Sequence, residues 1–245
     1  MNEKKSKKEK YVVVSASSSY SAIQNLPNQI DALNRIYLQF DYDNNKSAQA
    51  SLSQLYVISL CMFVEAFLRS AYSTYINRNF NNTTDDQLRH LINELEKRIN
   101  KLTWQTLQDS AIIYLERRIP DSITNSNYYK TVNKMFELRN LMVHGNNFEL
   151  EFLSGDTELD YRIAGNANTI YQYLIERNVF NSSEILDTTH FHLNRESICL
   201  FINDTLEFAD IFSNFISKEL QFNGFKDLEI FKIMEMKDNI KICKK

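Results

Sequence analysis

Residues Leu55–Tyr72 read LYVISLCMFVEAFLRSAY. A helix built from this stretch is apolar on most of its sides, so it has no wet face to turn to solvent and belongs at the centre of a helical bundle. Its less apolar side carries Gln54, Cys61, Glu65 and Arg69. Ser47 or Ser51, after a polar Asp41–Lys46 loop, supplies a capping hydroxyl, and the helix is expected to run to about Arg78. The longest uncharged apolar run, Leu55 to Val64, stops at Glu65 and is too short for a membrane span of about 20 residues.

Composition points the same way. Of 245 residues, 43% are apolar, but only four are Gly and two Pro, where average usage would give roughly 17 and 12. So few chain breakers favour long helices over a turn-rich β fold. The net charge of −3 excludes a broadly basic nucleic-acid binder. Any RNA contact has to come from local charge: Lys4, Lys5, Lys7, Lys8 and Lys10, the pair Arg117-Arg118, or Lys241, Lys244 and Lys245. Such charges are more often a solvated tail or face. The cysteines Cys61, Cys199 and Cys243 show no paired spacing, and Cys61 and Cys199 read as buried thiols of a reducing compartment. With Tyr11–Val14 too short for the core of a signal peptide, we expect a soluble, cytoplasmic protein with no membrane partner.

The chain carries a second informative stretch, Tyr128 to His144. Val132, Met135, Phe136, Met142 and Val143 share a face at about 100° per residue. Arg139 stands near the centre of that stripe, where Leu or Ile is expected. A guanidinium there is either matched by a buried carboxylate or aimed into a cleft. Asn140 and His144, four apart, lie together on the adjoining edge, and Gly145 suits the left-handed turn after the helix end. Arg139, Asn140 and His144 therefore converge on one helix terminus.

Arg139, a polar residue, three more positions and His144 resemble the R-x4-6-H motif of the HEPN superfamily, and the embedded Phe-x-Glu-Ala-Phe of Leu55–Tyr72 resembles the first core helix of that family. Together the matches cover about 35 residues, at a spacing that suits a four-helix bundle. The resemblance implies an all-α HEPN-like helical bundle that dimerises. It also implies a metal-independent, cofactor-free endoribonuclease of a toxin–antitoxin or phage-defence system, or a member that has lost activity and docks a partner protein. His144 would be the proton acceptor and Arg139 the cation that holds phosphate oxygens, with Asn140 and Glu65 supporting. Glu65 can pair with Arg139 across the bundle or with Arg69 four residues on, and the local order favours Arg69. Some family toxins carry Tyr two residues after the His; Asn146 stands there in this chain.

The remaining chain reads as one domain, 21–222, between an N-terminal arm, 1–20, with Tyr11–Val14 as a possible strand, and a C-terminal extension, 223–245. Ile23–Phe40 is amphipathic but interrupted at Pro27. Thr84 with Gln87 forms a capping box for a helix to Asn100, and Thr103 opens a helix that ends at Pro120. Asp121–Asn127 reads as loop. After Gly145 the period changes: Phe148, Leu150 and Phe152, then Leu159, Tyr161 and Ile163, predict a small β-hairpin just beyond the motif helix. Ile170–Asn178 reads as a short helix, and Asn194 caps a last long one that ends at Leu220. Phe225, Leu228, Phe231 and Ile233 or Met234 return to near-helical spacing. His190-Phe191-His192 lacks an evident third metal ligand. Trp104, Tyr72, Tyr75, Tyr128 and Tyr129 could stack on bases, but aromatics at helical spacing are more often core.

Overall fold

A computed structural model describes residues 18–39, 45–80, 84–144, 150–154, 159–163, 165–181, 193–219 and 243. The fold is all-α in its architecture. Helices α1 (Ser18–Gln39), α2 (Lys46–Phe80), α3 (Asp86–Ile99), α4 (Trp104–Asp109), α5 (Ala111–Tyr114), α6 (Asp121–Thr124) and α7 (Asn127–His144) precede strands β1 (Leu150–Ser154) and β2 (Leu159–Ile163). Helices α8 (Gly165–Glu176) and α9 (Arg195–Glu219) follow. The two strands pair antiparallel, with Leu150 opposite Ile163 and Ser154 opposite Leu159.

Helix α2 organises the rest. Its 35 residues span about 52 Å, and α1, α3, α4, α5, α7 and α9 all touch it. Val57, Val64, Phe67, Leu68, Ala71 and Tyr72 have no exposed surface, as a helix apolar nearly all round requires. Fully burying a Val, Leu or Phe side chain contributes about 1.5–3 kcal/mol. Measured over the whole helix rather than its uncharged run, Ser47–Asn77 is long and apolar enough to cross a membrane, yet 67% of the relevant window is buried against the chain itself. Polar ties fix the neighbours: Tyr56 donates to Asn34 of α1 at 3.1 Å, and Tyr72 to the Leu107 carbonyl of α4 at 2.7 Å.

Helix α7 lies between α2, α8 and α9. Cys61 reaches the Met135 carbonyl, and Glu65 reaches Arg139, both across 74 residues of sequence. The equal offsets mean that α2 and α7 advance side by side in the same direction. Aromatic packing seals the layer: Trp104 stacks on Phe136 with centroids 4.7 Å apart, and Phe208 of α9 meets Trp104 edge-on at 5.9 Å. Trp104, Tyr72, Tyr75 and Tyr129 are core residues and Tyr128 is half-buried.

Several boundaries differ from the sequence reading for local reasons. Helix α1 continues through Pro27, although proline removes one intrahelical hydrogen bond. Asn45, not Ser47 or Ser51, caps α2 by accepting from the Ala48 N–H at 3.0 Å. Asp85, one residue after Thr84, caps α3 by accepting from Gln87 and Leu88. Thr103 does start α4, through a reciprocal bond with Thr106. The single helix expected from Thr103 to Pro120 is divided into α4 and α5 and ends at Tyr114, just before Glu116, whose φ of 57° is left-handed, and Asp121–Thr124 forms a helical turn where a loop was expected. Helix α8 begins at Gly165, five residues before Ile170. Asn194 caps α9 as expected, accepting from the Ser197 N–H at 2.9 Å.

The cysteine reading is corrected. Cys199 and Cys243 form a disulfide with Cα atoms 5.4 Å apart, leaving Cys61 as the buried thiol. Forty-four residues separate the pair, so the pairing is a tertiary contact that no local spacing encodes. The Tyr11–Val14 segment, Gly145, Asn146, Phe225 to Met234 and the His190-Phe191-His192 triplet lie outside the described residues.

Candidate functional site

The buried side of α7 is broader than one stripe. Thr131, Val132, Met135, Phe136 and Leu138 are buried, while Val143 is 58% exposed and so does not belong to the apolar face on which it was placed. Arg139, expected near the centre of the apolar stripe, lies instead at the edge of the core, with its guanidinium 5.2 Å from the Phe136 ring centroid. Such a contact stabilises a cation by about 0.5–2 kcal/mol.

The Arg139 guanidinium is held from two sides. Its Nη1 donates to Glu65 Oε1 at 3.3 Å. Its Nε and Nη2 donate to Asn140 Oδ1 at 3.2 and 2.9 Å. Three of the five N–H groups of the fork are thus engaged, and two remain for a ligand. The side chain keeps 24% of its surface exposed, against 12% for Glu65.

Glu65 serves both candidate partners. Arg69 Nη2 lies 3.4 Å from Oε2, nearly as close as Arg139 lies to Oε1. The backbone N–H of Trp104 donates to Oε1 at 3.2 Å, and Arg69 is itself anchored on the Leu102 carbonyl, Nε to O 3.2 Å. The local pair with Arg69 forms as the spacing favoured, and the alternative pair with Arg139 forms beside it: the parallel register of α2 and α7 puts one carboxylate between two guanidiniums. The cluster carries one net positive charge. Beneath it, burial pushes the Cys61 thiol far up, with Glu65 adding to the shift and Arg139 opposing it. Cys61 is a protonated packing residue, not a nucleophile.

Arg139 and Asn140 line a cavity of about 360 Å³ with Trp104, Gln105, Gln108, Asn133, Phe136 and Glu137. The Trp104 indole donates to Asn133 Oδ1 at 2.7 Å, and Gln108 Nε2 donates to the same oxygen at 3.4 Å. With its oxygen engaged twice, the Asn133 amide nitrogen is left to donate to whatever enters. Asn133 and Gln108 were not foreseen. A signal for Asn133 was present: Asn133, Glu137, Asn140 and His144 fall at i, i+4, i+7 and i+11, a polar stripe on one face of α7. That stripe lines the cavity as far as Asn140 and carries His144 at its end. The backbone of His144 closes α7; its side chain lies outside the described ones.

A second polar cluster joins three helices. Arg177, in the turn just after α8, pairs with Asp204 of α9 at 3.2 Å and donates to Thr131 of α7 at 3.1 Å and to the hydroxyl of Tyr173 in α8 at 2.9 Å. Thr131 also donates to Asp204. Every member is bonded to another member, so the cluster fixes α8 and α9 on the first turns of α7. Among the described residues no three His, Cys, Asp or Glu side chains gather as metal ligands would. Compared with known proteins, the chain matches no family model, no curated protein and no solved structure.

Proposed function

We propose that the chain is an endoribonuclease of the HEPN type that acts without a metal as a toxin or phage-defence effector, with Arg139 and His144 as its catalytic pair. One observation carries this reading. At the end of α7 a positively charged cluster with unused guanidinium donors opens on a polar cavity, and the polar stripe lining that cavity leads to His144. The resemblance of the motif residues to the HEPN pattern supplies the reaction type. A ribose 2′-hydroxyl gives its proton to the His144 imidazole, whose ordinary pKa near 6.5 suits a base at neutral pH. The O2′–P bond forms as the P–O5′ bond breaks, and the leaving 5′-oxygen takes a proton. The products are a 2′,3′-cyclic phosphate and a 5′-hydroxyl. Arg139 neutralises the charge that builds on the phosphoryl oxygens. Asn140 holds the guanidinium toward the stripe, and Glu65 sets its depth.

A rival reading draws on the same geometry. Arg139 is paired with a largely buried carboxylate, which is also what a non-catalytic module that docks a partner protein would need for its own stability. The deciding experiment is cleavage of single-stranded RNA in excess EDTA. Wild type should cut and leave 2′,3′-cyclic ends; Arg139→Ala and His144→Ala should each lose at least a hundredfold in rate. Unchanged cutting by folded variants removes the assignment, and no cutting by wild type turns the reading to the docking module.

A two-fold homodimer completes the proposal. An arginine at the rim of the core is less costly beside a wet groove walled by two protomers, and a symmetric groove doubles the local positive charge that the net charge of −3 does not provide. Light scattering should return twice the 28.9 kDa chain mass. A monomer at working concentration would confine the chemistry to a single site.

A further inference from the structure

A second cavity, about 370 Å³, adjoins the first and shares one wall with it, the side chain of Gln108. Its lining includes Asp109, Ile112, Arg118, Ile119 and Tyr129. The volume lies in the range of small-ligand sites. Gln108 is fixed as the partition: the Tyr129 hydroxyl donates to its Oε1 while its Nε2 donates to Asn133. Burial, with the charge of Asp109 adding to it, pushes the Tyr129 hydroxyl up to about 12, so it remains a donor at any physiological pH.

The two charges in this cavity do not satisfy each other. Asp109 and Arg118 line one space yet form no ion pair, and among the described residues Arg118 has no bonded partner while Asp109 receives only the Gln105 amide at 3.5 Å. An acceptor-only carboxylate, a cation and the apolar side chains of Ile112 and Ile119 in one lining call for a molecule with three features. It has adjacent N–H donors on one edge, flat apolar faces and an anionic group some way off. Guanine nucleotides have all three: N1–H and the 2-amino group lie side by side on the base edge, and the phosphate is at the far end.

We propose that this second cavity binds a guanine nucleotide, the base donating to Asp109 and the phosphate meeting Arg118. The inference rests on the RNA reading of the first cavity for its source: a guanosine flanking the scissile phosphate, with Gln108 between the two positions. Single-stranded RNA is read in this way, by unstacked bases hydrogen-bonded on their edges.

The test measures binding, so it stands apart from cleavage. Wild type is titrated with fluorescent 2′-O-methyl oligonucleotides, which lack the attacking hydroxyl, containing either adenine alone or adenine with interspersed guanine. Guanosine and adenosine 5′-monophosphates form a second arm. Guanine ligands should bind at least about fivefold tighter than their adenine counterparts, the discrimination expected of a two-bond edge contact. Asp109→Asn should erase that ratio, and Arg118→Ala should weaken both classes alike; both side chains are exposed, and circular dichroism checks that the variants fold. Tighter binding in the oligonucleotide arm assigns the source to RNA, and in the monophosphate arm to free nucleotide. Equal binding of guanine and adenine ligands, or a preference that survives in Asp109→Asn, overturns the proposal. If guanine binding is present but no RNA is cut, the nuclease assignment falls and the cavity stands. If RNA is cut with no guanine beside the break, the reverse holds.

Discussion

Arg139 is held by a shared carboxylate, and the sharing has unequal consequences for its members. Removing Arg139 leaves Glu65 paired with Arg69 and with the Trp104 N–H. Removing the charge of Glu65 leaves two guanidiniums at 24% exposure with no anion. Breaking a buried pair from the side that strands the other charge costs about 3–5 kcal/mol, and partial exposure here puts the cost near the lower end. In urea titrations Glu65→Gln should therefore lose about 3 kcal/mol, and Arg139→Ala about half of that. Glu65→Gln should also bind RNA more tightly, since it frees positive charge at the cavity. Equal losses for the two variants would make Arg139 a structural pair partner first and favour the docking module. Arg139, Asn140 and Glu65 were legible in the sequence as residues, because each breaks or borders an apolar pattern. Which arginine Glu65 prefers was not legible, since the answer depends on the relative register of α2 and α7 and not on spacing within α2. Gln108 was invisible for a similar reason: it reaches the cavity from α4, and no motif links α4 to α7.

Among the helices, long amphipathic or wholly apolar runs were readable and their first residues were not. The centre of α2 announces itself by being apolar on most sides, and most of it is buried, although Leu55 and Met62 stay exposed. Its start at Lys46 depends on a choice between Asn45, Ser47 and Ser51, all competent caps, and the chain uses the amide. Thr84 and Asp85 pose the same choice for α3, and the carboxylate wins by accepting two N–H groups at the positive end of the helix. The segment after Thr103 breaks between α4 and α5 and ends at Tyr114, and the left-handed backbone of Glu116 keeps it from continuing toward Pro120; a glutamate gives no sign of that beforehand. Asp85→Ala should lower stability by about 1 kcal/mol and increase amide exchange over the first turn of α3, while Thr84→Ala should leave both unchanged. An effect of Thr84→Ala as large as that of Asp85→Ala would restore the capping box first read from the sequence.

Taken together, the core places several weak acids where ionisation is unfavourable, and this sets how the whole fold responds to alkali. Burial raises Cys61 above its ordinary 9.0 and Tyr72 above 10.0, neighbouring tyrosines adding to the second shift, and Tyr129 rises to about 12. Each is an acid whose folded-state value exceeds its unfolded one, so between the two values the native chain holds a proton that the unfolded chain has released. Stability is then complete below about pH 9 and falls as the pH rises, first through the thiol and then, above about 10, through the tyrosines. Each pH unit contributes about 1.4 kcal/mol per group while the two states differ by a full proton. Urea midpoints for wild type should decline between pH 9 and 10. In Cys61→Ala, which removes the first group at the cost of a small cavity, the decline should begin only near pH 10. A wild-type midpoint unchanged from pH 9 to 10.5 would mean that Cys61 meets water in the native state. The thiol beneath the Arg139–Glu65 pair would then have to be reconsidered as part of the site rather than its floor.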